Sequence, residues 1–329
     1  MKKTRWFSAW LALAAACTFA GPPAAYAQEK WPSRSIKLVV PYPPGGGADL
    51  VARSLGEALY KRMGQPIVID NRAGGTGTIG AAAVAKSAAD GYTLLLNQPG
   101  PGVTALYTLK SLSYNPLRDL APVILMGKAP IVVLVPANSP YRTMDDLVKY
   151  AKAHPSELNY GSPGIGTAGH IAGEMLQQLA GIKLNHIPYK GSASTANGLM
   201  GGQIALGFDT IPPNLSLVQS GRLHALAVAS DVRSPNLPEV PHGAEVSLPG
   251  FEVYTWYAIS GPAGLPGAVV DTLNHATNEW IASDEGRKRL DELGILPQRG
   301  GTPEAFASFL QTEARKTETV VRAAHIVSE

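Results

Sequence analysis

The chain has 329 residues, of which 45% are hydrophobic, 16% charged and 7% aromatic. This composition supplies enough apolar side chains for a sizeable core and excludes disordered, collagen-like and coiled-coil chains; at about 150 residues per domain, the length favours two domains. A single cysteine excludes a disulfide framework and a thiolate zinc site.

The first 27 residues have the pattern of a cleavable signal peptide. Three basic residues precede an apolar run from Trp6 to Ala20 and the small-residue pattern Ala25-Tyr26-Ala27. Cleavage after Ala27 removes three of the 28 Lys and Arg residues and none of the 25 Asp and Glu residues, which leaves 25 of each sign. A formally neutral mature chain argues against a nucleic acid or an anionic membrane surface as a partner. We therefore expect a periplasmic protein, with lipidation of Cys17 as the alternative.

From Ile36 onward, short β-branched runs alternate with helical patterns, which is typical of βαβ units and a mainly parallel sheet. The first predicted elements are strands at Ile36–Val40, Pro66–Asp70 and Tyr92–Leu96, and helices at Leu50–Arg62 and Ile79–Lys86. Two apolar runs follow, Val123–Met126 and Ile131–Val135, and we interpret this stretch as a crossing between two lobes.

A second alternation starts at a capping box, Thr143 to Asp146, which begins a helix to about Ala153. The later predicted elements are a strand at Asn159-Tyr160, a helix to Ala180, strands at Lys183–Ile187, Ile204–Phe208, Leu223–Ala229 and Tyr254–Ile259, and a helical region from Pro266 in which Thr302 caps a helix at Pro303. This order predicts an α/β protein of two doubly wound lobes with a hinged cleft between them. Lobe 1 comprises residues 28–128 and 250–329, and lobe 2 comprises residues 129–249.

Three times, a predicted strand runs into a glycine-rich turn that opens a helix. The three turns are Pro41–Asp49, Asn71–Gly80 and Gly161–Thr167. At such a junction several backbone N–H groups lack partners within the helix and the helix dipole is positive, so an anion can be held without Lys or Arg. Any one turn can also be interpreted as an ordinary connection. If one such turn from each lobe lies at the edge of the cleft, the two turns would bind the same anion from opposite sides.

Two enzymatic interpretations are weighed against this one. Gly75–Gly80 matches the G-x-G-x-x-G dinucleotide fingerprint, but no acidic residue follows about 20 positions later, and export separates the chain from nicotinamide cofactors. The histidine spacings fit no metal motif, so we expect neither a cofactor nor a metal ion. His170 is either a polar residue that packs on its own loop or, in an exported hydrolase, a base that acts on Ser162.

Other polar residues follow predicted strands, where ligands of α/β sheets bind. Asn97, Lys190 and Asp209 have this placement. Lys190 either pairs with a second carboxylate or is a solvated turn residue. Asp49 is expected to organise its loop, because a carboxylate beside an anion site would repel the ligand. The pair Trp256-Tyr257 is expected to pack in the crossing region.

The chain resembles the Bug family of periplasmic receptors, which are the substrate-binding proteins of tripartite tricarboxylate transporters. The resembling segments are Trp31-Pro32, Ile36–Asp49, Ile69–Gly75, Asp90–Leu94, Asp119–Val123, Tyr160–Thr167 with His170, Pro188–Gly191, and Trp256–Gly264 with Pro266. The resemblance implies a type II periplasmic-binding fold whose lobes close on a small carboxylate, held by backbone groups and ordered waters of the first and third turns. The segment Asn97–Gly102 departs from the family pattern. We expect this difference to affect which ligand is bound more than it affects the fold.

We therefore expect a non-enzymatic, monomeric receptor that captures a mono- or dicarboxylate, aromatic acids such as terephthalate included, and delivers it to a tripartite tricarboxylate-type transporter. A sensor that feeds a signalling partner and an exported hydrolase are the alternatives. The predicted ligand-binding residues are Tyr42, Pro44, Gly45, Gly46, Gly47, Ala48, Asp49, Asn97, Ser162, Gly164, Gly166, Thr167, His170, Tyr189, Lys190 and Asp209.

Overall fold

Strands and helices alternate through most of the chain. The computed structural model describes residues 31–323 and residue 326, so the predicted signal peptide and Cys17 lie outside the described residues. The strands are β1 Ile36–Val40, β2 Ile67–Asn71, β3 Thr93–Asn97, β4 Leu120–Pro136, β5 Asn159–Ser162, β6 Asn185–Pro188, β7 Leu206–Thr210, β8 Leu223–Ala229, β9 Tyr254–Pro262 and β10 Leu296–Pro297. The helices are α1 Gly47–Met63, α2 Thr78–Ala85, α3 Ala105–Thr108, α4 Met144–Ala153, α5 Ala168–Ala180, α6 Ser192–Met200, α7 Leu215–Gln219, α8 Gly267–Ala282, α9 Asp284–Glu292 and α10 Pro303–Ala323.

The strands form two parallel groups joined through an antiparallel centre. Their order is β2-β1-β3-β9-β4-β7-β5-β6, and β8 and β10 also pair with β4. In the first group β1 lies parallel to β2 and β3, and in the second β5 lies parallel to β6 and β7. Each group has its own core, around Val39 and Leu95 in the first and around Tyr160 and Phe208 in the second. This is the α/β architecture that the alternating pattern predicts.

The crossing between the groups is one long strand, β4, where the sequence suggested two separate runs. Its first part pairs with β9, from Leu120 opposite Pro262 to Pro130 opposite Tyr254. From Ile131 onward it pairs with β7 and β8. Bulges shift the register of the β9 pairing next to Pro122 and next to Gly127, where a proline and a glycine interrupt the regular ladder. The strand therefore belongs to both sheet groups.

Local sequence patterns predicted some helix ends correctly and did not predict others. The predicted capping box at α4 is confirmed, because Thr143 Oγ1 accepts from Asp146 N at 3.1 Å and Asp146 Oδ2 accepts from Thr143 N at 3.0 Å. Thr302 Oγ1 likewise accepts from Ala305 N at 3.1 Å. Helix α1 begins three residues before the predicted Leu50. Helix α6 was not predicted, since its Ser, Thr, Asn and Gly residues have weak helix propensity and little apolar periodicity.

Candidate ligand-binding site

A cavity lies between the two sheet groups, next to the first residues of α1, α5 and α6. Its empty volume, including the part that is open to solvent, is about 730 Å³. Its lining residues are Tyr42, Pro43, Pro44, Gly46, Gly47, Ala48, Gln98, Pro99, Gly100, Ile131, Pro163, Thr167, Ala168, Gly169, Lys190, Gly191, Ser192, Ala193, Asp209, Thr210, Thr255 and Tyr257. The charged side chains among them are Lys190 and Asp209.

Half of the predicted binding residues line this cavity. They are Tyr42, Pro44, Gly46, Gly47, Ala48, Thr167, Lys190 and Asp209. The other eight do not reach the lining: Gly45, Asp49, Asn97, Ser162, Gly164, Gly166, His170 and Tyr189. Sequence position alone did not separate residues at the cavity wall from those that support it.

Two long helices begin at this cavity from opposite sheet groups. Gly47-Ala48 are the first two residues of α1, and Ala168-Gly169 are the first two of α5. The first N–H groups of a helix have no carbonyl partner within it, and the helix dipole makes this end positive. In α5 the Thr167 hydroxyl accepts from the third N–H, that of His170, at 3.4 Å. The first two amides of each helix are thus positioned for an anion in the cavity.

Helix α6 also begins at the cavity wall, and this the sequence interpretation missed. Its N-cap, Gly191, has φ of 104°, a left-handed conformation that favours glycine. Ser192 and Ala193 line the cavity, and the Ser192 hydroxyl donates to Asp209 Oδ1 at 3.1 Å. A glycine followed by serine after a strand was the available signal for this helix start.

Asp209 places a fixed carboxyl group at the cavity. Besides Ser192, it accepts from Thr210 N at 2.7 Å and from Asn214 Nδ2 at 3.2 Å. Burial raises the pKa of Asp209 to about 6, although these hydrogen bonds oppose the shift. Lys190, by contrast, is exposed to solvent at the cavity rim. The two charged lining groups thus differ in environment.

Asp49 organises the first loop from behind the cavity wall. Its carboxylate accepts from Gly45 N at 3.0 Å, from Arg53 Nε at 2.9 Å and from Asn71 Nδ2 at 3.1 Å. Burial raises the pKa of Asp49, but these hydrogen bonds and the Arg53 charge outweigh burial and hold it below its ordinary value. The group is therefore an ionised anchor that joins the loop to α1 and β2.

A buried aromatic stack supports the third loop. His170 Nδ1 accepts from Gly166 N at 3.0 Å, and its ring stacks on His186 with centroids 3.9 Å apart. On its other side, His186 stacks on Tyr160 at 4.8 Å. Burial lowers the pKa of His170 to about 4, and burial together with His170 lowers that of His186 to about 3. Both imidazoles are therefore neutral near pH 7. Because the Gly166 N–H donates to His170, it is already engaged in a hydrogen bond within the protein.

The structure pairs Ser162 with His186 and not with His170. Ser162 Oγ lies 2.7 Å from His186 Nε2 and donates to the Gly164 carbonyl at 3.1 Å. The hydroxyl is therefore engaged within its own loop, between the His186 ring and the Gly164 carbonyl. Ser162 is also completely buried. The Ser162–His170 arrangement that the hydrolase alternative requires is therefore not formed.

Two pairs of neighbouring residues each divide between the cavity wall and the structure behind it. Asn97 is enclosed, because it donates to Ser260 Oγ at 3.1 Å and accepts from Gln98 N at 2.9 Å; its neighbour Gln98 lines the cavity instead. Tyr257 lines the cavity too, whereas Trp256 packs in the core against two phenylalanines. Strand alternation explains the difference, since successive side chains of β9 point to opposite faces. That alternation was visible in the sequence.

Within the described residues, no group of three His, Cys, Asp or Glu side chains is arranged to hold a metal ion. Across the same part of the chain, no helix has the length and apolar character needed to cross a membrane.

The two sheet groups and the cavity between them define the class: a two-lobe solute-binding protein. The family model described as "Tripartite tricarboxylate transporter family receptor" matches residues 51–326. The chain belongs to this family, and the resemblance to the Bug receptors is confirmed. Members of the family are receptors of transport systems.

Three similar proteins illustrate the relationship. Protein BugT of Bordetella pertussis is 36% identical over 304 residues, which cover 92% of this chain and 93% of BugT. The structure of Rhodopseudomonas palustris Rpa4515 with adipate has a TM-score of 0.86 at 35% identity, covering 90% of this chain and 98% of that one. The structure of MatC from the same organism with bound malate has a TM-score of 0.83 at 31% identity, covering 88% and 100%.

Proposed function

We propose that this protein is a periplasmic receptor that captures a small organic carboxylate between its lobes and delivers it to a tripartite tricarboxylate-type membrane transporter. One observation carries the proposal: the first amides of α1 and α5 meet at one cavity from opposite sheet groups. Hydrogen bonds to a charged group contribute about 1.5 to 3 kcal/mol each, so a few such amides hold a carboxylate without a cation.

The remaining walls suit the body of such an acid. Tyr42, Ile131 and Tyr257 line the cavity together with several prolines, which leaves apolar and aromatic surface beside the amides. Rpa4515 and MatC, two relatives of similar structure, are solved with adipate and malate. These two acids support a mono- or dicarboxylate as ligand here, and the aromatic walls keep terephthalate among the candidates.

Ligand capture by closure requires two lobes and a hinge. We assign residues 28–128 with 250–329 to one lobe and residues 129–249 to the other. The pairings of β4 support this division, since its partner changes from β9 to β7 and β8 at Ile131. The chain would bend at Ile131 of β4 and at Val253, whose N–H donates to the Ala229 carbonyl of β8 just before β9 begins. The signal-peptide pattern and the family support a periplasmic location.

Binding is tested with the mature chain, residues 28–329. Adipate, malate, benzoate and terephthalate are titrated by calorimetry and thermal shift, with the corresponding amides as neutral controls. We expect saturable binding of at least one acid and none of its amide, and a ligand at 100 times its dissociation constant should stabilise the fold by about 2.7 kcal/mol. Chromatography of the recovered acid should show no conversion. Equal affinity for acids and amides would contradict the carboxylate site, and conversion would support the enzyme alternative.

A further inference from the structure

Gln98 presents an unused hydrogen-bonding group to the cavity. The residue is 6% exposed, lines the cavity, and within the described part of the chain its side-chain amide has no hydrogen-bond partner. The amide is not sealed off, in contrast to the indole nitrogen of Trp256, which is fully enclosed and unpartnered. A buried amide that remains accessible only through a ligand cavity is positioned for a ligand.

The backbone of Gln98 is held in place on both sides. Its N–H donates to Asn97 Oδ1 at 2.9 Å, and its carbonyl accepts from Gly102 N at 2.9 Å. The next residues are a proline and Gly100, where an added Cβ would lie 2.6 Å from the Tyr42 hydroxyl. The backbone of the turn is therefore held at the cavity wall. A side-chain amide without a protein partner gains hydrogen bonds when a ligand supplies the complementary groups.

Thr255 on β9 is likewise a buried lining residue whose polar group is unpartnered within the described chain. It is 7% exposed, lines the cavity, and its hydroxyl has no hydrogen-bond partner among the described residues. Other polar lining groups are engaged: Thr167 with Gly164, and Ser192 with Asp209. Gln98 and Thr255 are thus neutral side chains that are available to recognise a ligand, apart from the helix amides that would hold its carboxylate.

We propose that Gln98, assisted by Thr255, binds a second polar group of the ligand, so that the preferred ligand is a bifunctional carboxylate whose far end accepts a hydrogen bond. The inference rests on the proposed carboxylate site. An amide donates two N–H bonds and accepts through its oxygen, which suits a second carboxyl, hydroxyl or carboxamide group without requiring a cation. Gln98 is then a specificity-determining residue in the turn that follows β3.

The test compares acids that differ only at the far end. Affinities are measured by calorimetry for adipate against hexanoate and for terephthalate against benzoate, and the better-bound pair is used. We expect the wild type to prefer the bifunctional acid, and Gln98→Met to weaken that acid about tenfold while changing the monofunctional one less than about twofold. Thr255→Val should produce a smaller selective loss. Gln311→Met, at an exposed position of α10, is the matched control and should change neither affinity.

The outcomes separate the two proposals. Retained binding of the monofunctional acid by Gln98→Met shows that the variant is folded and that its carboxylate site is intact. Equal losses for both acids, or no preference in the wild type, would overturn the role of Gln98 while leaving the receptor function in place. If the wild type binds none of the four acids or malate more tightly than their amides, the receptor function fails with it.

Discussion

The hydroxyl of Thr76 donates a hydrogen bond to the backbone carbonyl of Ile165 at 2.8 Å, joining the second glycine loop to the third across 89 residues of sequence. Thr76 has φ of 54° and ψ of 34°, a left-handed conformation that β-branched residues rarely adopt. Residues held in this region cost of order 1 to 3 kcal/mol and often occur at ligand clamps. The contact connects the two sheet groups beside the cavity.

Removal of this hydroxyl should weaken ligand retention. Thr76→Val keeps the branched shape and loses the donor, so the acid should bind about threefold to tenfold more weakly, chiefly through faster dissociation. Thr76→Ser keeps the donor and serves as the control. Stopped-flow fluorescence gives both rates. If the Val and Ser variants release ligand at the same rate, the hydrogen bond does not hold the closed form.

A methyl group added at Gly47 should obstruct the carboxylate site. Its Cβ would lie 2.9 Å from the buried Tyr257 hydroxyl and 3.5 Å from Thr210 Oγ1. We expect Gly47→Ala to lower affinity about tenfold or more, because one of the α1 amides or the tyrosine must shift. Gly267→Ala is the matched control, since Gly267 is also the first residue of a helix and has open space around it. Calorimetry that finds the two variants equal would contradict this placement of α1.

The protonation of His170 should lower the free energy of unfolding at acidic pH. Its pKa is lowered to about 4 by burial, whereas in the unfolded chain it returns to about 6.5. Between these values the unfolded state binds the proton and the folded state does not, so the free energy of unfolding falls as pH falls, by about 3 kcal/mol in all. Asp209 acts in the opposite sense, because its raised pKa lets the folded state take up a proton first, from about 6 downward.

The His170 contribution is isolated by substitution. His170→Asn keeps an acceptor for the Gly166 N–H but does not titrate, so its urea-unfolding free energy should depend less on pH than that of the wild type between about pH 7 and pH 4. His275→Asn is the control, because the His275 side chain is 78% exposed. Parallel pH profiles for His170→Asn and the wild type would show that His170 does not titrate in this way.

The Lys190 side chain should strengthen the binding of dicarboxylates without changing the affinity for monocarboxylates. It is the cationic side chain of the cavity lining and is exposed, so its attraction for a second carboxylate is screened and contributes about 0.2 to 1 kcal/mol. Lys190→Ala should therefore weaken a dicarboxylate a few-fold, less so at high salt, and leave a monocarboxylate unchanged. Lys183→Ala, an exposed lysine outside the lining, controls for net charge. Equal losses for both acids in calorimetry would remove Lys190 from selectivity.

The sequence predicted the parts of the site that depend on local chemistry. The strand before Pro41, a helix from about Leu50 and the capping box at Thr143 all follow from short patterns whose physical cause lies within a few residues. Asp49 was expected to organise its loop for the same reason. Helix α6 was missed, because it is stabilised by packing rather than by a periodic apolar face.

Which side chains reach the cavity was decided by the tertiary structure. Asn97 and Gln98 are adjacent polar residues after one strand, yet Ser260 from another strand engages Asn97 and leaves Gln98 at the cavity. His186, 24 residues from Ser162, contacts the hydroxyl that the hydrolase alternative assigned to His170. By itself the sequence determined most of the alternating elements and the helix starts that carry a capping side chain, such as Thr143 and Thr302, since propensity and capping act locally. The choice between cavity wall and support depended on long-range pairing of strands, which no local pattern encodes.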